Sequence, residues 1–252
     1  MTATTRIDPR FRERRVAVVR AQGRRRLRFL IAAATAIGLV LGAWLAVTST
    51  LLDVDRIVVR GTAAVPDDVV RSAAGVDTGD ALLLLDPGAV ERRVEAVPAV
   101  LDAHVQRDLP DGLRIAVTER EPAAWAHRRD GTLAIFDATG RAIAEAPADA
   151  PPALPEIAGL ARLPGPGRTS TGAATATGVL DDLPAELRAR VATTVVLGRV
   201  VALGLDDGIE IRLGPPRGMA AKGRTAVAVL AALGGAPVAY VDVRVPSAPV
   251  TG

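Results

Sequence analysis

An uninterrupted apolar run at residues 29–52 constrains this chain more than any other feature. The run reads FLIAAATAIGLVLGAWLAVTSTLL and contains no charged residue. As a helix that rises about 1.5 Å per residue, it would extend roughly 36 Å, enough to cross a hydrocarbon core of about 30 Å. A buried core helix is rarely apolar on every face, and a cleaved signal peptide has a shorter apolar region and a shorter lead. The run therefore predicts an uncleaved transmembrane helix between a short head and a long body, residues 53–252.

The arginines of the head, residues 1–28, predict the side of the membrane that each part occupies. The head holds ten arginines and two acidic residues, a net charge of +8, so the body carries −5 of the chain's total of +3. Four of these arginines flank the apolar run: Arg24, Arg25, Arg26 and Arg28. Because basic flanks stay in the cytoplasm, we expect a single-pass protein of the plasma membrane with a cytoplasmic N-terminus and an extracytoplasmic body. We expect the head to be mostly disordered and to contact anionic lipid rather than nucleic acid.

The amino-acid composition adds two limits. The chain has no cysteine, so no disulfide holds the body together, as in exported bacterial domains that rely on a hydrophobic core. Alanine, arginine, valine and glycine are abundant and Lys222 is the only lysine, which indicates a GC-rich, actinobacterial-like genome.

Residues 53–121 carry the signals of a β-α-α-β-β unit. A β-branched segment at 54–60 predicts the first strand. Pro66 opens one short helix, and Asp86 caps the start of a second. Alternating apolar residues predict two more strands, around 103–105 and 113–117, joined by the turn 109–112. Two helices on one face of a three-stranded sheet form a compact α+β domain.

Residues 122–252 predict a mixed β-domain. Strands with tight turns are expected up to residue 146, followed by a proline-rich loop or extended crossing at 147–166. The later elements are a helix at 172–190 that Pro184 interrupts, a β-hairpin at 194–213, a helix at 219–233 and a last strand at 238–245.

No constellation of catalytic or metal-binding residues emerges from the sequence. His104 and His127 lie on predicted strands, and neither has a metal-ligand partner at a suitable spacing. We find no nucleophile elbow, phosphate-binding loop or dinucleotide fingerprint. The mixed charges of Glu119, Arg120 and Glu121 are interpreted as a solvated strand end. We therefore expect no enzymatic activity, no cofactor and no small-molecule substrate, but a binding or scaffold role.

The last predicted strand is the strongest candidate for a binding site. Its residues 240–245 are rich in valine and stand near the end of the sequence. A strand at the edge of a sheet has free N–H and C=O groups that can pair with a strand of another protein. The alternative is that this strand pairs inside its own sheet, and the residues alone favour that alternative.

Several segments together resemble the FtsQ/DivIB family of bacterial cell-division proteins. The basic head and single span are followed by segment 97–122, which contains RDLPDGLRIAVTEREP and runs into EREPAA at 119–124. The sequence IEIRLG at 209–214 precedes Lys222 and a helix, and the chain closes with YVDVRVP at 240–246. The resemblance extends over essentially the whole chain.

The resemblance implies a POTRA domain near the membrane, a β-domain beyond it, and an essential, non-enzymatic scaffold at the division septum. It implies binding to the coiled-coil proteins FtsB and FtsL, and through them a connection to the septal peptidoglycan synthase FtsW–FtsI. It also implies that the POTRA domain takes part in recruitment to the division site.

In this family the partner site is the final strand with the helix before it, here 219–233. The implied partner-binding residues are Tyr240, Val241, Asp242, Val243 and Arg244, with Arg199 as a partner-facing basic position on a neighbouring strand. Because few residues follow Pro246, few partner contacts are expected beyond the terminal strand.

Two alternative functions remain open from the sequence. POTRA domains also serve outer-membrane assembly, although those proteins carry a C-terminal barrel and usually a cleaved signal. An anchored extracytoplasmic enzyme would need a nucleophile or paired carboxylates in a pocket.

Overall fold

The structure is a computed structural model that describes residues 26–42, 44–45, 52–160 and 162–252. These residues form two compact units. The first unit contains the described residues up to Arg56 together with Asp77–Leu85 and Arg107–Leu113. The second contains Ile57–Val76, Asp86–Gln106 and Arg114–Gly252.

The chain begins with a helix that includes residues 26–42 and 44–45, and nearly all of its side chains are exposed. Arg26 and Arg28 lie on this helix. Most of the predicted disordered head, including Arg24 and Arg25, and part of the predicted span, residues 43 and 46–51, lie outside the described residues. Within the described ranges, no helix has both the length and the apolar character that crossing a membrane requires.

The predicted β-α-α-β-β order is confirmed. Its elements are β1 (Arg56–Arg60), α1 (Asp67–Ala74), α2 (Pro87–Glu95), β2 (Val100–Asp108) and β3 (Gly112–Glu119). The three strands form a sheet in the order β1-β3-β2.

Local chemistry explains where the two helices begin and end. Helix α1 follows Pro66, carries Asp67 and Asp68 at its positive end, and stops at Gly75, whose φ of 57° is left-handed. Helix α2 has Asp86 as N-cap, with the side chain accepting a hydrogen bond from Gly88 N at 3.0 Å.

The remaining strands form one nine-stranded sheet in the order β12-β11-β10-β9-β8-β7-β4-β5-β6. They are β4 (Pro122–His127), β5 (Thr132–Asp137), β6 (Ala142–Pro147), β7 (Glu156–Ala158), β8 (Val191–Leu197), β9 (Val200–Leu205), β10 (Glu210–Gly214), β11 (Tyr240–Asp242) and β12 (Val250–Thr251). The helices of this region are α3 (Thr171–Asp182), α4 (Ala185–Arg188) and α5 (Met219–Leu233). The mixed β-domain is therefore confirmed, as is the helix break at Pro184.

The proline-rich stretch differs from its prediction as a loop or extended crossing. Residues 156–158 form β7 in the middle of the sheet, parallel to both β4 and β8. Ile157 is buried there, and its burial requires that the backbone on either side be hydrogen-bonded. The stretch therefore supplies the strand that joins the two halves of the sheet.

Two hydrophobic clusters lie in this region. One includes residues of β9, β10 and β11 with Met219 and Ala226 of α5. The other includes residues of β4, β5 and β8 with Ala173 and Ala176 of α3.

The interpretation of residues 119–121 as a solvated strand end is wrong for Glu119 and Arg120. The Glu119 carboxylate accepts hydrogen bonds from the N–H groups of Ala63, Ala64 and Val65 at 2.7–3.1 Å. Arg120 donates to Val100 O and forms a buried 2.9 Å ion pair with Asp137. Both contacts join residues distant in the sequence, which a pattern of alternating charges does not reveal.

Candidate functional site: the β11 end of the large sheet

Strand β11 lies between a parallel neighbour and an antiparallel one. On one side it pairs with β10, with Val241 opposite Ile211. On the other side it pairs with β12, with Asp242 opposite Val250. The strand is shorter than the predicted 238–245, because its regular pairing covers only Tyr240–Asp242.

Alternate backbone groups of this segment point toward β10. Ala239 O accepts from Glu210 N at 3.0 Å, and Val243 N donates to Arg212 O at 3.1 Å. The side chains of Val241 and Val243 are fully buried. These two valines therefore hold the site together from inside, and Val243 N–H is not available to a partner strand.

The other backbone edge of β11 is covered by the chain itself. Tyr240 N donates to Gly252 O at 3.0 Å, and Gly252 N donates to Tyr240 O at 3.3 Å. Ala239 N also donates to Gly252 O, at 2.7 Å. The prediction that the final strand forms the free edge is therefore wrong for this structure, since β12 stands outside it. The expectation of few contacts beyond Pro246 overlooked β12, whose pairing with β11 is long-range.

The solvent face of β10 and β11 carries an aromatic ring among charged groups. The Arg212 guanidinium lies 3.8 Å from the centre of the Tyr240 ring, a cation–π contact, and Arg212 also pairs with Glu210 at 3.3 Å. Arg244 donates to Asp242 at 2.6–3.0 Å through Nε and Nη2. The result is an ordered surface of alternating charge on which an extended peptide can be recognised.

The carboxylate of Asp242 stays ionised in this arrangement. The hydrogen bond from the Arg244 side chain is the main cause that lowers the pKa of Asp242, with smaller contributions from Arg244 N–H and from the charge of Arg212. The same pair raises the pKa of Arg244. Both charges therefore persist over the whole physiological pH range.

Lys222 supports the site from beneath, a role that sequence reasoning missed. Its side chain is buried against α5's neighbours, and Nζ donates to Leu213 O at 2.7 Å and to Pro215 O at 2.9 Å. Burial lowers the pKa of Lys222, and the charge of Arg217 lowers it further. The available signal was that the only lysine of the chain falls in the first turn of a helix that directly follows a strand.

Arg199 lies in the turn between β8 and β9, not on a strand as expected. Its neighbour Val201 pairs with Gly214 of β10, and Gly214 adjoins the Arg244 side chain. Arg199 is thus at the Arg244 end of the sheet, although β9 is two strands from β11, about 10 Å away. Its partner-facing role stays a prediction.

The histidines have ordinary surroundings. His104 Nδ1 lies 3.2 Å from Glu91 Oε1 at an exposed position, a carboxylate contact that sequence spacing did not indicate. His127 packs edge-on against Trp125. Among the described residues, no three His, Cys, Asp or Glu side chains are arranged to hold a metal ion.

The small α+β domain followed by a large mixed sheet defines a protein with a POTRA domain and an appended β-domain. Residues 52–120 match the model of the FtsQ-type POTRA domain, and residues 123–244 match that of the C-terminal region of cell division protein FtsQ/DivIB.

Individual relatives agree with these matches. The chain is 34% identical over 249 residues to cell division protein FtsQ of Streptomyces collinus, covering 92% of this chain and 90% of the relative. It is 33% identical over 212 residues to FtsQ of Streptomyces bingchenggensis, covering 82% and 78%. With FtsQ of Mycolicibacterium smegmatis the identity is 35% over 168 residues, covering 62% of this chain and 48% of the relative. The chain belongs to the FtsQ/DivIB family of cell division proteins.

Proposed function

We propose that this chain is a non-enzymatic scaffold of the division machinery, anchored in the plasma membrane at the septum. Its body binds FtsB/FtsL-type coiled-coil partners and through them helps to control septal peptidoglycan synthesis by FtsW–FtsI. The observation that carries the proposal is the position of β11 in a protein of the FtsQ/DivIB family. Only the two exposed residues of β12 separate β11 from the edge of a nine-stranded sheet.

The membrane anchor in this proposal is the helix of residues 29–52. Its support is the absence of charge over the whole run, the flanking arginines, and the helical, exposed state of residues 26–42 and 44–45. The N-terminus is then cytoplasmic and the two sheets extracytoplasmic. The FtsQ-type match of both regions favours division over the alternative of outer-membrane protein assembly.

We place the partner strand against β11 in the position of β12. The pairing of β12 covers only two residue positions, and the Val250 side chain is 55% exposed, so little apolar burial holds β12 in place. A longer partner strand would form more ladder hydrogen bonds on the same N–H and C=O groups and would reach the charged face that includes Asp242 and Arg244. Main-chain pairing would give the affinity, and the charged face would give the choice of partner.

The outward N–H groups of β11 belong to alternate residues. Since Tyr240 N donates outward, the same alternation points Asp242 N–H outward and Val243 N–H inward. Asp242→Pro therefore removes a donor on the partner side, and proline is tolerated best where an N–H faces away from the rest of the sheet. Asp242→Ala is the matched control, because it removes the same carboxylate but keeps the N–H.

The test is co-purification of the full-length chain with its own FtsB-type partner from membranes in which both are expressed. We expect Asp242→Pro to reduce recovery of the partner at least tenfold and Asp242→Ala to reduce it only a few-fold. Removal of residues 250–252 should increase recovery, because β11 no longer has to be uncovered. If Asp242→Pro retains normal binding while unfolding as cooperatively as the parent, strand pairing at β11 is wrong. If removal of 250–252 abolishes binding, the partner pairs with β12 instead.

A further inference from the structure

Exposed leucines are concentrated in the loops of the first unit, next to residue 52. Leu84 is 69% exposed, Leu109 is 61% exposed and Leu83 is 37% exposed. All three belong to the segments Asp77–Leu85 and Arg107–Leu113. The loops of an exported domain usually present polar side chains to water, so large apolar ones grouped at one end indicate a contact surface.

Backbone hydrogen bonds hold these loops against the start of the body. Leu82 N donates to Leu52 O at 3.0 Å, and Val54 N donates to Asp80 O at 2.8 Å. In the other loop, Asp111 O accepts from Asp55 N at 2.9 Å. Leu84 is two residues from Leu82, and Leu109 is two residues from Asp111. Each leucine is therefore within about 10 Å of the first residues after the apolar run.

The loop that carries Leu83 and Leu84 has its polar backbone groups occupied. Arg107 Nε donates to Leu82 O at 2.9 Å, and Arg107 Nη2 donates to Leu85 O. Leu84 N donates to Ala81 O at 3.0 Å. A backbone group without a partner would oppose entry into an apolar medium, and these bonds remove that cost for the atoms that make them.

Charge argues against an anionic partner at this surface. Asp53, Asp55, Asp80 and Asp111 stand beside the leucines, whereas Arg56 is paired with Asp111 at 3.6 Å and Arg107 is engaged by the loop carbonyls. The acidic surplus disfavours phosphatidylglycerol-type headgroups and leaves apolar insertion as the attractive contribution.

We infer that Leu83, Leu84 and Leu109 form a lipid-contacting surface that seats the POTRA domain on the outer leaflet of the membrane. The inference rests on the proposed anchor at residues 29–52, because residue 52 is the last residue of that run. Seating would fix the height and direction at which the body leaves the membrane, which a flexible connection would leave free.

The absence of cysteine from the chain allows a direct test with single labels. The full-length protein carries one environment-sensitive fluorophore at Leu84→Cys or Leu109→Cys and is placed in phosphatidylcholine nanodiscs that contain spin-labelled lipid. Ile37→Cys within the apolar run reports on the anchor. Leu197→Cys, 62% exposed in the second unit, is the matched control for an exposed leucine.

We expect spin-labelled lipid to quench the fluorophores at 84 and 109 at least twofold more than the one at 197. Quenching at 84 and 109 equal to that at 197, with strong quenching at 37, would overturn the lipid-contacting surface and leave the anchor intact. Absence of quenching at 37 would overturn the anchor itself.

Discussion

Lys222 shows how one side chain can set the geometry of the strand next to it. Its ammonium group binds two carbonyls, Leu213 O and Pro215 O, where β10 ends and the chain turns into α5. Because β10 is the strand on which β11 pairs, the position of the partner-binding backbone depends on this buried cation. Replacement by methionine keeps most of the volume and removes the donors.

Lys222→Met should lower the free energy of unfolding by about 1–3 kcal/mol, the usual cost of leaving buried acceptors unpaired. Arg224→Met, at an exposed position of the same helix, should change it by no more than about 0.5 kcal/mol. Urea unfolding of the detergent-solubilised chain, followed by intrinsic fluorescence, gives both values.

The same comparison predicts a pH dependence. Since burial lowers the pKa of Lys222 in the folded state, the unfolded chain binds more protons between that pKa and the ordinary value of 10.5. Stability from this group therefore rises as the pH increases through that window, and Lys222→Met lacks the rise. The difference between the two proteins should grow from pH 7 to pH 10; a constant difference would contradict the buried, charged state of Lys222.

At the scale of elements, Arg120 and Asp137 connect the end of β3 to the end of β5. Their side chains are 17% and 6% exposed, and Asp137 Oδ1 also accepts from Thr139 and from Arg141 N. Burial raises the pKa of Asp137, but these hydrogen bonds lower it by more, so the carboxylate is ionised when folded. Its contribution to stability is present at neutral pH and is lost as the pH falls from about 3.8 through the lowered pKa.

Arg120→Met should destabilise the protein by about 3 kcal/mol, because it leaves a buried carboxylate without its cation. The double variant with Asp137→Asn should cost less than the two single variants added together, with a coupling of about 1–3 kcal/mol. Urea unfolding of all four proteins completes the cycle. Additive single effects would show that the ion pair does not couple the two sheets.

Elements defined by local signals could be predicted from the sequence, and elements defined by distant partners could not. Pro66, Asp86 and Gly75 set the limits of α1 and α2 through their own backbone preferences and caps, so these helices were predicted nearly residue by residue. Strands β7 and β12 have only three and two residues, and their existence depends on neighbours far away in the sequence. No local pattern distinguishes them from loop.

The candidate site was predicted in part for the same reason. Residues 240–242 were identified as a strand from their composition, and α5 was identified as the helix before it. Which edge of β11 is covered, and by what, depends on pairing with residues 250–252. The support from Lys222 and the stacking of Arg212 on Tyr240 likewise depend on contacts between elements.

At the scale of the whole molecule, the proposal combines an anchor, a small α+β domain and a large sheet that ends in a short, displaceable strand. Such a chain does no chemistry of its own. It determines where a partner strand is held relative to the membrane. Its absence should therefore stop division without removing any enzymatic activity of the envelope.

The most direct test of this account is to image a fluorescent fusion at the N-terminus in growing cells of the source strain and then to shut off expression. The account predicts a band of fluorescence at the septum and, on depletion, cells that continue to grow but fail to divide. A uniform envelope signal together with normal division after depletion would contradict it.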